Sequence, residues 1–148
     1  MNTRGLIVSS LIAAAALVAT ACDSSPIVPS DTPRAEYSQT DLRVGSGTEA
    51  TSGRTMTVNY TGWLYDPNGA DGKGAQFDTS NQAGRGPFSF VLGGTDVISG
   101  WNRGVLGMRV GGLRRFVLPP ELAYGATGQG SIPPNATLTF DIELVSIP

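Results

Sequence analysis

The sequence predicts an α+β fold, in which a twisted antiparallel β-sheet of about five strands wraps around one short α-helix. Several runs of the 148-residue chain alternate apolar and polar residues, with the period of two that a half-buried strand requires. Only residues 97–106 follow a helical period, which places Val97, Ile98, Trp101 and Val105 on one face. The 20 glycines suit the tight turns of such a sheet.

The first 21 residues predict a signal peptide. Arg4 gives a positive start, residues 6–18 form an apolar run too short for a typical membrane-spanning helix, and Ala19 and Ala21 supply the small residues of a cleavage site. In one interpretation, cleavage after Ala21 releases a soluble periplasmic or secreted protein. In the other, Cys22 is acylated and anchors an exported protein to a bacterial membrane of the cell envelope, facing the periplasm.

We favour lipidation of Cys22. It is the only cysteine of the chain, and an unpaired thiol is ill suited to an oxidising compartment. The segment also resembles a bacterial lipobox, although Ala19 stands where that motif usually has Leu. Residues 22–52 predict a flexible tether that bears Pro and Ser, with a short edge strand at residues 42–44 near its end. The folded domain is expected over residues 53–148.

Within this domain, the runs that predict strands lie at residues 55–64, 77–80, 87–92, 113–118 and 138–145. Residues 65–76 are rich in Asp, Pro, Asn and Gly, which predicts a surface loop. Thr95 or Asp96 is expected to cap the helix, and Gly107 suits its C-terminal end. Residues 121–134 predict a long irregular segment.

Composition excludes several kinds of site. The net charge is −2, and the mild acidity argues against nucleic-acid binding, which calls for a clustered basic face. Because the chain has no histidine and only one cysteine, it cannot form a histidine metal site, a Ser-His-Asp triad or an intrachain disulfide. No glycine-rich turn is followed by Lys-Ser or Lys-Thr, as a phosphate loop requires. The sequence therefore implies neither a metal nor another cofactor.

Aromatic residues gather at strand ends and in loops. Together with Trp101 they could line an apolar concave pocket, although the pattern alone favours a core position for each of them. These residues are Tyr60, Phe77, Phe88, Tyr124 and Phe140.

Seven short motifs resemble those of the FKBP-type peptidyl-prolyl cis-trans isomerases. They are VNYTG at 58–62, FDTS at 77–80, PFSF at 87–90, VISGW at 97–101, AYGATG at 123–128, IPPNATL at 132–138 and FD at 140–141. Each motif alone is weak. Their shared order and spacing, from about residue 53 to the C-terminus, are highly specific.

The resemblance implies a sheet wrapped around a short helix, in agreement with the strand pattern. It also implies an enzyme that rotates the peptide bond preceding proline. The predicted signal peptide makes exported or envelope proteins the expected substrates. The barrier to that rotation, roughly 18–20 kcal/mol, arises from amide resonance and not from a bond that must be broken. A dry pocket disfavours the polar planar amide relative to the twisted one, so no covalent intermediate is needed.

The resemblance further implies roles for individual residues. Trp101 is the floor under the proline ring, and the Ile98 N–H and the Tyr124 hydroxyl hold substrate carbonyls. Asp78 either polarises the carbonyl or makes a fixed hydrogen bond to Tyr60 or to nearby backbone. The pocket walls are Tyr60, Phe88, Val97 and Phe140, with Phe90 behind them, and the rotating amide is bordered by Phe77 and Ile132. The expected catalytic residues are Tyr60, Asp78, Ile98 and Tyr124.

Two alternatives keep the same pocket: a binding module that holds proline-containing segments with little turnover, and a structural lipoprotein with a degenerate site. The retained motif residues favour the enzyme. Proline-containing polypeptides are the expected partners, macrolide immunosuppressants are a further expectation, and the protein is expected to be monomeric. Three features depart from the family pattern. The long loop at residues 65–76 is expected to alter substrate reach, and the tip at 129–131, which overhangs the pocket, puts the sequence preference in doubt. Asp96, where the family often has Glu, is a mild change at the rim.

Overall fold

The computed structural model describes residues 32–148, so the predicted signal peptide and Cys22 lie outside the described residues. Six strands and one α-helix follow one another. The strands are β1 (Ser38–Arg43), β2 (Thr55–Tyr65), β3 (Lys73–Thr79), β4 (Phe88–Val91), β5 (Leu113–Leu118) and β6 (Leu138–Ser146), and the helix α1 is Ser99–Val105. The predicted antiparallel sheet with one helix is confirmed, with six strands where the sequence predicts about five.

All strand pairs are antiparallel, and the sheet order is β1-β5-β6-β2-β3, with β4 paired to β2 beside β3. The central pair is β2 and β6, whose register runs from Val58 opposite Leu144 to Leu64 opposite Leu138. Because side chains alternate across a strand, one face of β6 lies in the core. The buried residues of that face are Leu138, Phe140, Ile142 and Leu144.

Helix α1 lies close against β5 because two of its residues have no side chain. A Cβ atom at Gly100 would lie 2.5 Å from a Leu118 methyl carbon, and one at Gly104 would lie 2.7 Å from the Phe116 ring. Trp101, between them in the sequence, is 5 % exposed and belongs to the same core. The glycines therefore let a helix of seven residues bury a large aromatic side chain against the sheet.

The helix is shorter than predicted. Its N-cap is Ile98 and no side chain makes a capping hydrogen bond, so the predicted cap at Thr95 or Asp96 is wrong. Asn102 instead binds the preceding loop: its Oδ1 accepts from the Gly93 N–H at 2.7 Å, and its Nδ2 donates to the Gly94 carbonyl at 2.8 Å. Gly107 follows the helix with φ +77°, in agreement with the predicted C-terminal end.

Two strand boundaries also differ from the sequence prediction. Strand β3 begins at Lys73, inside the predicted loop. Gly74 and Ala75 do not indicate a strand, but the ion pair of Lys73 with Asp141 favours an extended backbone there. Strand β1 begins at Ser38, earlier than the predicted edge strand, and Ala50 is buried in the core. Residues 38–52 thus belong structurally to the domain expected to begin at residue 53. The sequence does not predict the full length of β1, because all of its residues are exposed and they do not alternate between apolar and polar types.

The outer face of the sheet, which lies opposite α1, carries a network of ion pairs. Asp141 accepts hydrogen bonds from Arg115 at 2.7 and 3.0 Å and from Lys73 at 2.6 Å, and Arg115 also pairs with Asp71 at 3.0 Å. The Lys73 Nζ lies 4.1 Å from the centroid of the Trp63 ring. Burial alone would raise the pKa of Asp141, but the hydrogen bonds from Arg115 and Lys73 lower it below its usual value.

Over residues 32–148, no helix has the length and hydropathy needed to cross a membrane.

Candidate active site

A cavity of about 440 Å³ opens between the sheet and the segment that enters α1. Aromatic side chains from four strands form much of its wall, and backbone and polar groups from two loops form its rim. The lining residues are Tyr60, Phe77, Asp78, Phe88, Thr95, Asp96, Val97, Ile98, Trp101, Tyr124, Gln129 and Phe140.

Trp101 is held in place by four aromatic neighbours that meet it edge to face. The ring centroids of Tyr60, Phe140, Phe90 and Phe88 lie 5.1, 5.5, 5.6 and 6.1 Å from that of Trp101. Such T-shaped contacts are the preferred geometry of aromatic pairs and each adds about 0.5–1.5 kcal/mol beyond simple burial. The indole is therefore a rigid apolar surface on one side of the cavity.

Gly62 makes another part of the wall possible. Phe77 and Phe140 meet edge to face with centroids 5.5 Å apart, directly over this glycine of β2. A Cβ atom at Gly62 would lie 2.6 Å from the Phe77 ring and 2.7 Å from the Phe140 ring. Any larger residue would have to displace both rings, so the glycine of the VNYTG motif shapes the cavity by its missing side chain.

Asp78 is engaged by protein donors at both oxygens. The Tyr60 hydroxyl donates to Oδ2 at 2.7 Å, and Oδ1 accepts from the Thr79 N–H at 2.9 Å and from the Arg85 guanidinium. Burial would raise the pKa of this carboxyl, but the hydrogen bonds from Tyr60 and Arg85 bring it below its ordinary value. Asp78 is thus held as a carboxylate and fixes the orientation of the Tyr60 ring.

The two tyrosines of the cavity stay protonated over the physiological range. Burial, together with the hydrogen bond and negative charge of Asp78, raises the pKa of Tyr60 to about 12. Burial first, and then the charge of Asp78, also raises the pKa of Tyr124. Both hydroxyls therefore remain hydrogen-bond donors and are poor candidates for general bases.

Three donors at the cavity lack an acceptor among residues 32–148. The Ile98 N–H and the Tyr124 hydroxyl have no hydrogen-bond partner there, and neither has the buried Trp101 Nε1–H. Of the side-chain donors, only Trp101 Nε1 is fully buried, so the cost of about 1–3 kcal/mol for an unsatisfied buried donor applies to it, and a ligand cannot reach it. The Ile98 N–H and the Tyr124 hydroxyl are the donors that can bind a substrate carbonyl. The arrangement can bind a ligand that is apolar on one side and carries carbonyl groups on the other.

The structure brings nine of the eleven predicted site residues of the domain to the cavity wall. Phe90 and Ile132 are the two exceptions. Phe90 is 3 % exposed and stacks against Phe88 with centroids 6.2 Å apart, which agrees with its expected place behind the wall. Ile132 is 7 % exposed and joins the core, because its backbone pairs with Gln129 in a tight turn. It does not line the cavity that it is expected to border.

Sequence reasoning missed Arg85 and Thr95 as cavity residues, whereas it places Asp96 both at the rim of the pocket and at a possible helix cap. Arg85 lies in an exposed loop between two glycines, and nothing in that pattern indicates its ion pair with Asp78. Thr95 and Asp96 line the cavity, where the sequence predicts helix caps. Only the three-dimensional path of the loop decides between these positions.

Comparison with known proteins supports the family resemblance. The family model described as FKBP-type peptidyl-prolyl cis-trans isomerase matches residues 46–145. FK506-binding protein 1 of Aspergillus oryzae is 42 % identical over 105 residues, which cover 70 % of this chain and 90 % of the relative. The FK506-binding protein of Neisseria meningitidis serogroup A is 44 % identical over 108 residues, covering 72 % and 92 %.

Solved structures agree. The crystal structure of AtFKBP13 aligns with a TM-score of 0.64 and 36 % identity, covering 76 % of this chain and 93 % of that one. The structure of FkpA from Escherichia coli aligns with a TM-score of 0.63 and 40 % identity, covering 75 % and 47 %. Sequence, fold and cavity lead to one conclusion: the chain belongs to the FKBP-type peptidyl-prolyl cis-trans isomerases, enzymes that rotate the peptide bond preceding proline.

Proposed function

We propose that the cavity around Trp101 is the site where the peptide bond before proline rotates. The observation that carries the proposal is the pairing of an apolar, aromatic wall with two donors, the Ile98 N–H and the Tyr124 hydroxyl, that have no acceptor among the described residues. The proline ring lies on Trp101, and the two donors hold substrate carbonyls. The wall contacts come from Tyr60, Phe77, Phe88, Val97 and Phe140, and Phe90 supports Phe88 from behind.

Catalysis in this scheme rests on desolvation and positioning. Planar amide resonance separates charge, and its polar form is less favoured in an apolar cavity than in water. The twisted amide has lost that resonance, so the cavity stabilises it relative to the planar form. Donors that grip the flanking carbonyls hold the chain on either side while the bond turns, without any covalent intermediate.

Asp78 acts in this proposal through Tyr60. Both of its oxygens already accept hydrogen bonds from protein groups, which favours the fixed hydrogen bond over direct polarisation of the substrate. Ile132 likewise acts from the core, by supporting the turn that carries Gln129.

A proline-limited peptide assay tests the proposed site. The purified protein should accelerate cis–trans exchange, and an excess of a tight-binding proline mimic should abolish the acceleration. Binding of the mimic without any acceleration would favour a binding module over an enzyme acting at this cavity. Acceleration that persists with the cavity saturated would place the reaction elsewhere.

We also propose that the enzyme acts on exported or envelope proteins from a lipid anchor at Cys22. The support is the order of a basic residue, an apolar run, small residues and the only cysteine within the first 22 positions. Several acyl chains would hold the protein firmly, since each buried CH₂ contributes roughly 0.8 kcal/mol. Mass spectrometry of the mature N-terminus separates an acylated Cys22 from cleavage after Ala21 with a free thiol.

The same cavity is proposed to bind FK506-type macrolides. The support is that two of the matched relatives carry the name FK506-binding protein, together with the aromatic lining of the cavity in this chain. A macrolide of this class should inhibit the peptide reaction competitively. Inhibition that does not depend on peptide concentration would argue for binding at another surface.

A further inference from the structure

The charges around the cavity are unbalanced. Two of the twelve lining residues, Asp78 and Asp96, carry a carboxylate, and no Lys or Arg lines the cavity. The charge of Asp78 is compensated, because Arg85 pairs with it from the adjoining loop. Asp96 is exposed at the rim and makes no hydrogen bond or ion pair to any residue from 32 to 148. The rim therefore presents one uncompensated negative charge to whatever enters.

The position of this charge relates it to the substrate. Asp96 lies two residues before Ile98, whose N–H is proposed to hold a substrate carbonyl, and both residues line the same cavity. A polypeptide held at Ile98 must therefore pass its flanking residues along the rim where Asp96 stands. Three further basic side chains close in sequence to the cavity elements contact other groups. Arg103 lies over the Tyr37 ring, Arg54 binds the Pro148 carbonyl and Lys73 pairs with Asp141.

We propose that Asp96 is a specificity residue that favours substrates with a Lys or Arg close to the proline. The inference rests on the proposed site. An attraction between exposed opposite charges is weak, so the expected preference is about two- to fivefold in kcat/KM for a Lys peptide over its Gln counterpart. A Glu peptide should be disfavoured to a similar degree. Screening should reduce both effects between about 10 mM and about 150 mM salt.

The test uses blocked peptides that share one Ala–Pro bond and carry Lys, Gln or Glu on one or the other side of it. Rates are measured with the unmodified protein, with Asp96→Asn and with Glu36→Gln. Glu36 is exposed, does not line the cavity, and its replacement removes the same charge. The quantity compared is the ratio of Lys to Glu peptide rates within each protein, so that differences in folded fraction cancel.

The proposal expects the order Lys, Gln, Glu on at least one side of the proline, retention of that order in Glu36→Gln, and its loss in Asp96→Asn. Equal rates for the three peptides would overturn it, and so would an order that survives in Asp96→Asn. A neutral Gln peptide that is not accelerated at all would refute the proposed site itself, and with it this inference. Turnover of the neutral peptide thus distinguishes the two failures.

Discussion

The two faces of the sheet differ in how completely their hydrogen-bonding groups are satisfied. On the outer face, Asp141 is surrounded by Arg115 and Lys73, and these charged groups are satisfied by one another. On the face toward α1, the cavity is lined by two donors, the Ile98 N–H and the Tyr124 hydroxyl, that find no acceptor among residues 32–148. The ion pairs of the outer face therefore stabilise the fold directly. At the cavity, Asp78 and the Tyr60 hydroxyl are satisfied within the protein, and the two free donors remain for a substrate. The cavity can bind a substrate because these donors have no acceptor among the described residues.

The largest expected effect separates the two tryptophans. Trp101→Ala should lower the free energy of unfolding by about 3–5 kcal/mol, because it empties a buried site of the core, and should abolish isomerase activity. Trp63→Ala, on the outer face, should cost clearly less and leave kcat/KM unchanged, because Trp63 is only partly buried. Urea unfolding and the peptide assay measure both.

If Trp101→Ala does not fold, Trp101→Leu retains more apolar volume and answers the same question. Equal losses of stability at the two tryptophan positions, or an active Trp101 variant, would contradict the conclusion that only the face toward α1 takes part in the reaction.

A smaller effect is expected from the outer network. Asp141→Asn removes the charge that Arg115 and Lys73 share, and a hydrogen bond to a charged group contributes about 1.5–3 kcal/mol. Unfolding should become easier by about that amount, whereas kcat/KM of the folded protein should not change. A variant that keeps its stability and loses activity would show that the outer face takes part in the reaction.

Removing one hydroxyl from the cavity should affect only the reaction. Tyr124→Phe leaves the ring in place and should lower kcat/KM roughly three- to tenfold, the worth of one hydrogen bond to the substrate. The matched control is Tyr37→Phe, whose hydroxyl binds Gln39 and does not line the cavity. An unchanged rate in Tyr124→Phe would remove that hydroxyl from the mechanism.

The smallest effect concerns pH. Asp78 and Asp141 have lowered pKa values in the folded state, so the unfolded chain takes up protons first as the pH falls. Their contribution to stability is present above the ordinary value of 3.8 and is lost as the pH falls through the lowered values. Urea unfolding at about pH 5 and about pH 3 should show this loss, and Asp141→Asn should reduce it. If Asp141→Asn lost as much stability between these pH values as the unmodified protein, groups other than Asp141 would be responsible for the loss.

The sequence predicts best where packing repeats with the period of a strand or a helix. The alternation in β5 and β6 gives their bounds almost to the residue, since burial of every second side chain leaves a strong pattern. The motifs that hold Tyr60, Asp78 and Trp101 likewise predict most of the cavity. Strand β1 and the start of β3 escape prediction, because their extended backbone depends on partners distant in the chain.

By itself, then, the sequence determined the α+β sheet with one helix, the membership of the isomerase family and most of the cavity residues. The tertiary structure decided which polar groups are left over: it joins Arg85 to Asp78, leaves Asp96 and the Ile98 N–H without partners among residues 32–148, and buries Ile132. The physical reason is that apolar burial repeats along the chain, whereas hydrogen bonds and ion pairs depend on distances between residues that only folding brings together.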